Sequence, residues 1–193
     1  MLVRDDGKRA AIVAVGAVVL LLLGCPSGRK IQSQDDADLV IRSLWDQIRM
    51  TVHYGTPTTY ANQTIAGSVS GHLVANGAIQ HSSYYDGFWD WQVFTYNNMA
   101  LDCSDFCTSN DFTRIHFTGD ATLNGTINCH WSDYHYEYIY TGAWAFVGSG
   151  RLSGEFSGDV SFNITVVRCG NKFYGTINSG SKGWDVSWES DEY

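Results

Sequence analysis

Four cysteines, a run of alternating tyrosines and a few clusters of histidine and carboxylate are the side chains of this chain whose types and spacing could do chemistry. Cys103, Cys107, Cys129 and Cys169 are an even set, which in an oxidising compartment reads as two disulfides. Three pairings exist. The expected one joins Cys103 to Cys107 within a polar loop from Asp102 to Asp111, and Cys129 to Cys169 across two strands. Four extended residues span about 13 Å against a Cα limit near 7 Å, so the first bridge requires a turn or helical loop there. A zinc site built from Cys103, Cys107, Cys129 and His130 is the rival, but neither CxxC nor HxxxH spacing occurs and no metal is expected.

His72, His116 and His130 fall on the polar side of alternating runs, where solvated histidines sit. His130 and His135 with Asp133 and Glu137 could make an acid–base or metal cluster, yet nothing in the sequence fixes their convergence. Asp102, Asp105, Asn110 and Asp111 form an oxygen-rich loop without EF-hand spacing. Asp86 and Asp90 are a carboxylate pair of the kind that hydrolyses glycosides. No GxSxG, HExxH, P-loop or dinucleotide glycine motif occurs, so no catalytic residue is assigned and no cofactor is expected.

Aromatic residues make up 14% of the chain. Tyr84, Tyr85, Phe88, Trp89 and Trp91 cluster. Tyr134, Tyr136, Tyr138 and Tyr140 follow in step on what reads as one strand face, and Trp184 and Trp188 come near the end. Such rings fill a curved core or, when exposed, stack on sugars and proteins. The Tyr134–Tyr140 stripe with Trp184 and Trp188 is the candidate ligand surface.

These side chains must be positioned by sheet. From Thr64 onward the pattern has a period of two: Ile65, Val69, Leu73, Ala75 and Ile79 alternate with polar residues, as do Ile115, Phe117, Ala121, Leu123, Ile127 and Cys129. Asn76-Gly77 and Asn124-Gly125 resemble two-residue hairpin turns, but such a turn switches the inward set between odd and even positions, and neither run switches. Each therefore reads as one long strand with a glycine bend or bulge. Ser33 to Tyr54 differs: Leu39, Val40, Leu44, Trp45, Ile48 and Val52 share one helical face, Ser33 can cap it, and Gly55 with Pro57 ends it. The expected fold is all-β, an antiparallel meander of long curved strands forming a barrel, half-barrel or sandwich, preceded by one amphipathic α-helix. Its parts are a signal peptide over 1–24, a tether over 25–32, the helix over 33–55 and the β-domain over 60–193.

With 193 residues, 20 acidic against 12 basic side chains and a net charge of −8, the chain is one acidic globular domain and no nucleic-acid binder. Arg4, Lys8 and Arg9 precede fourteen uncharged residues, Ala10 to Leu23, too short a run to cross a bilayer and laid out as a signal peptide. Leu22-Leu23-Gly24-Cys25 ends it and resembles the bacterial lipobox, which implies acylation of Cys25 as the new N-terminus. Together with the glycine-punctuated strands "IAGSVSGHL", "LNGTINC", "LSGEFSGDVSF" and "FYGTINSG" and the four later cysteines, the chain resembles small all-β lipoproteins of bacterial envelopes. That resemblance transfers no catalytic residues.

The expected function is that of a non-catalytic protein of the bacterial cell envelope, with the outer membrane favoured over the inner. It is held on the membrane by its N-terminal lipid and presents a rigid β-domain to a ligand, glycan or envelope protein. Two alternatives stand beside it: a carboxylate-based hydrolase of the envelope, and an assembly subunit docking through the 33–54 helix.

Overall fold

The computed structural model describes residues 28–109 and 113–189. Cys25 and the expected signal peptide lie outside them, as do Asn110 and Asp111. Eight antiparallel strands follow a single helix, α1 (Gln34–Thr51): β1 (Thr58–Ala66), β2 (Ser70–Tyr85), β3 (Asp90–Cys107), β4 (Ile115–Ser132), β5 (Glu137–Gly154), β6 (Gly158–Val167), β7 (Lys172–Ser179) and β8 (Lys182–Glu189). Each strand pairs only with its neighbours in sequence, and β1 and β8 do not pair, so the meander is open rather than a closed barrel.

Helix α1 fills the opening. The Ser33 hydroxyl accepts the Asp36 N–H at 3.1 Å, and Asp35 and Asp36 sit at the positive end of the helix dipole. Ala37, Val40, Ile41, Leu44, Trp45 and Ile48 are buried against the concave side of the sheet. Trp45 packs against Trp144, Phe146 and Phe173 with ring centroids 5.8–5.9 Å apart. The helix stops at Thr51, short of the expected Tyr54, because Val52 leaves helical geometry and its carbonyl accepts the hydroxyl of buried Tyr96 at 2.7 Å. Along the other side α1 covers the β8 edge: the Gln34 amide donates to the Asp185 carbonyl and Asp38 accepts the Ser187 N–H. An edge strand covered in this way offers no free ladder to another chain.

Asn76-Gly77 and Asn124-Gly125 lie inside β2 and β4, as their unchanged phase predicts, with a register shift in the β2–β3 ladder at the first. The turn that does occur, at Gly67–Val69, interrupts a run whose odd positions are apolar throughout. Ile65 pairs with Leu73, so inward residues are odd on both sides. Where paired numbers sum to an even value the parity is kept, and the phase test does not register the turn. Glycine is required at Gly119 in β4: its φ is +150° and a Cβ there would lie 2.3 Å from the Ser149 carbonyl oxygen of the neighbouring strand.

The chain enters at a defined place. Arg29 forms a bridge with Phe156 in the β5–β6 turn, exchanging backbone hydrogen bonds of 3.0 Å with Glu155 and Ser157, and Ile31 is buried. Part of the expected tether is thus inside the fold.

Candidate functional site

Strands β2–β5 outrun the rest of the sheet. β1 pairs with β2 only as far as Ile79, and β6 pairs with β5 only from Trp144 onward. Residues 80–85, 90–95, 126–132 and 137–143 therefore pair only among themselves, as a four-stranded arm that reaches about 23 Å beyond Trp144 at strand rise. The arm lies at the start of β5, and the entry at Arg29 lies at its end.

The arm carries aromatic rings on both faces. Trp131 and Tyr138 form a cross-strand pair, their rings 5.2 Å apart at 73°, with 46% and 48% of each residue open to solvent. Both lie on the face of buried Cys129, and Tyr140, in register with Cys129, extends the row at 6.1 Å from Tyr138. Burial pushes the Tyr140 hydroxyl up to about 12, so it stays a proton donor at neutral pH. On the opposite face Trp89 stacks on His130 at 4.6 Å and Trp91 meets the same ring edge-on at 4.4 Å, which buries the imidazole.

Asp86 holds this second cluster together. Its carboxylate accepts the Trp91 indole N–H at 2.7 Å and the backbone N–H groups of Trp89 and Phe88 at 2.8 and 2.9 Å. Those bonds, the indole first, hold its pKa below the ordinary aspartate range.

The expected tyrosine stripe is divided. Only Tyr138 and Tyr140 stand on β5; Tyr134 and Tyr136 belong to the β4–β5 turn and are 83% and 81% exposed. Trp184 and Trp188 are not part of the surface. They stand on β8, three strands away, half-buried against the core, where Trp188 packs on Phe173 at 5.2 Å and under the Arg42 guanidinium. Trp131, missing from the expected surface, is its central ring. It shares the face of Cys129, and the register shows that β1 and β6 stop short of it and leave it uncovered.

Elsewhere the chemistry does not assemble. Ser70, His116 and Asp105 resemble a nucleophile–base–acid set, with Ser70 Oγ 2.9 Å and Asp105 Oδ1 3.2 Å from His116, but both contact the same nitrogen, Nδ1. Ser70 Oγ also donates to the Asp105 carbonyl, so no base is in place to take its proton. Asp90, Asp133 and Glu137 are exposed, and Asp86 is occupied in its turn. Among the described residues no three His, Cys, Asp or Glu side chains are grouped to hold a metal ion.

Among the described residues Cys103, Cys107, Cys129 and Cys169 carry no disulfide. Cys103 and Cys107 both lie in β3, paired to Leu73 and Ser70, so the turn needed for a bridge between them is replaced by strand and that pairing is corrected. Burial raises both thiols, Cys103 to about 12. Cys129 and Cys169 are different. Their side chains hydrogen-bond each other, which lowers Cys129 and raises Cys169.

No family model, curated protein or solved structure matches the chain.

Proposed function

We propose that this is a lipid-anchored, non-catalytic protein of the bacterial cell envelope, acylated at Cys25, that binds a glycan on the aromatic arm. The observation that carries the reading is the half-exposed Trp131–Tyr138 pair at the end of the sheet opposite the chain entry. An anchor at Cys25 would leave the arm pointing away from its membrane, so its rings are better suited to an envelope ligand than to the anchoring bilayer.

Ring area decides between a glycan and a protein partner. A buried aromatic contributes about 150–250 Å², so two half-exposed rings and two turn tyrosines offer roughly 500 Å². A stable protein interface needs about 800 Å² per partner. Sugar rings need less, and Gln92 and Ser83, in register with Cys129 on the same face as the rings, supply hydrogen-bonding groups. The helix-docking alternative loses its apolar face, which is buried in the protein's own core.

A Cys129–Cys169 disulfide belongs to this reading, supported by the hydrogen bond between the two thiols. Among the described residues no helix is long and apolar enough to cross a membrane.

Titration of tryptophan fluorescence with N-acetylglucosamine oligomers and a panel of other oligosaccharides tests the glycan reading. Binding lost in W131A and Y138A supports it. No response to any member of the panel removes it.

A further inference from the structure

A cleft of about 680 Å³ opens at the end of the sheet where the chain enters, lined by Lys30, Arg151, Asp159, Ser179, Ser181 and Lys182 among others. That size falls within the range of small-ligand sites, about 300–1,000 Å³. Its charge is unusual for this protein. Arg29, Arg49, Arg168 and Lys172 are each spent on an ion pair with Asp36, Asp46 or Glu189. Lys30, Arg151 and Lys182 make none among the described residues, and Asp159, in register with Arg151, is the single carboxylate of the lining. Three cations against one anion leave the cleft positive. Lys30 reaches it because residue 158 is glycine: a Cβ there would lie 3.0 Å from the Lys30 ammonium. Lys182 is held near Trp184, 5.8 Å from the ring centroid. The Ser179 and Ser181 hydroxyls and the β7–β8 turn add donors around the same space.

We propose that this cleft binds the phosphate headgroup of an anionic lipid in the membrane that carries the anchor; the choice of a lipid over a free phosphate rests on the lipid-anchored reading above. Cys25 precedes Gly28 by three residues, which reach at most about 11 Å, so an acylated Cys25 sets this end of the domain on the headgroups. The domain as a whole would be repelled there. Taking the three cations and two carboxylates of Met1 to Gly24 from totals of 12 and 20 leaves 9 and 18, a net charge of −9. A cationic cleft on one end of an acidic body turns that end toward an anionic surface and the aromatic arm outward.

The test uses the full chain in lipid nanodiscs of phosphatidylcholine with and without phosphatidylglycerol, read by hydrogen exchange of the β7–β8 turn. The expected result is several-fold slower exchange at Gly180–Lys182 only where phosphatidylglycerol is present, abolished in K30Q/R151Q/K182Q, each charge being worth about five-fold. Equal exchange in the two discs, or slowing that survives the triple substitution, overturns the proposal. Inorganic phosphate added to phosphatidylcholine discs separates the sources: equal slowing there makes the ligand a free anion and overturns the lipid assignment. The intact mass of the Cys25 peptide reads the anchor by itself. An unmodified Cys25 removes the anchored reading, whereas the dependence on phosphatidylglycerol reports on the cleft.

Discussion

Asp86 accepts the indole N–H of Trp91 at 2.7 Å, so a single exposed carboxylate fixes the ring that, with Trp89, closes over His130. The tip of one hairpin is thereby held against the next strand.

Removing that carboxylate should loosen the tip without unfolding the protein. In D86A the Trp91 indole N–H resonance should shift and lose protection while the melting temperature changes little. In the native protein the bonds to Asp86 should hold throughout the neutral range. Its pKa is depressed on folding, so their contribution is present above the ordinary aspartate range, near 3.8, and is lost as pH falls through the lower folded value. Loss of protection of the indole N–H between pH 5 and 8 would contradict this.

The thiols give a second prediction. Expressed into an oxidising compartment, the protein should contain one disulfide, Cys129–Cys169, with Cys103 and Cys107 reduced; mapping of alkylated peptides by mass spectrometry reads this directly. Closing a loop of about 40 residues should stabilise the fold by up to about 4 kcal/mol, so C169S should lower the urea midpoint of the oxidised protein but not of the reduced one. Alkylation of all four cysteines without reductant would rule the bridge out.

The core makes the third. Trp45 is 3% exposed and touches rings from β5 and β7. W45A should cost about 3–5 kcal/mol, a large share of the stability of a single domain. Urea denaturation measures it, and a loss below 1 kcal/mol would mean that the helix is not the centre of the core.

Much of this architecture was legible in the sequence, and the failures have physical causes. The spacing of Leu44, Trp45 and Ile48 and the cap at Ser33 mark α1, because a helix face and its first turn are local properties. The unbroken parity across Asn76-Gly77 and Asn124-Gly125 correctly denies two hairpins. The same test misses Gly67–Val69, since paired positions there are both odd. The tyrosine stripe failed at Tyr134 and Tyr136 because alternation continues through a turn, where it no longer means a shared face. Trp131 and Trp184 look alike in sequence. What separates them is which strands run past which, and that depends on the lengths of β1, β6 and β8 relative to the arm.

The anchor gives the fourth prediction. Globomycin should leave a precursor that retains Met1, and C25S should behave likewise; normal maturation under the drug would remove the lipid-anchored reading.

Saturation-transfer NMR on the protein with a bound oligosaccharide tests the central claim most directly. The account predicts transfer to the sugar from the Trp131 and Tyr138 rings, weakened more than ten-fold in affinity in W131A/Y138A and unchanged in W184F. Transfer that persists in the double variant, or that arises from Trp184 and Trp188 instead, would contradict it.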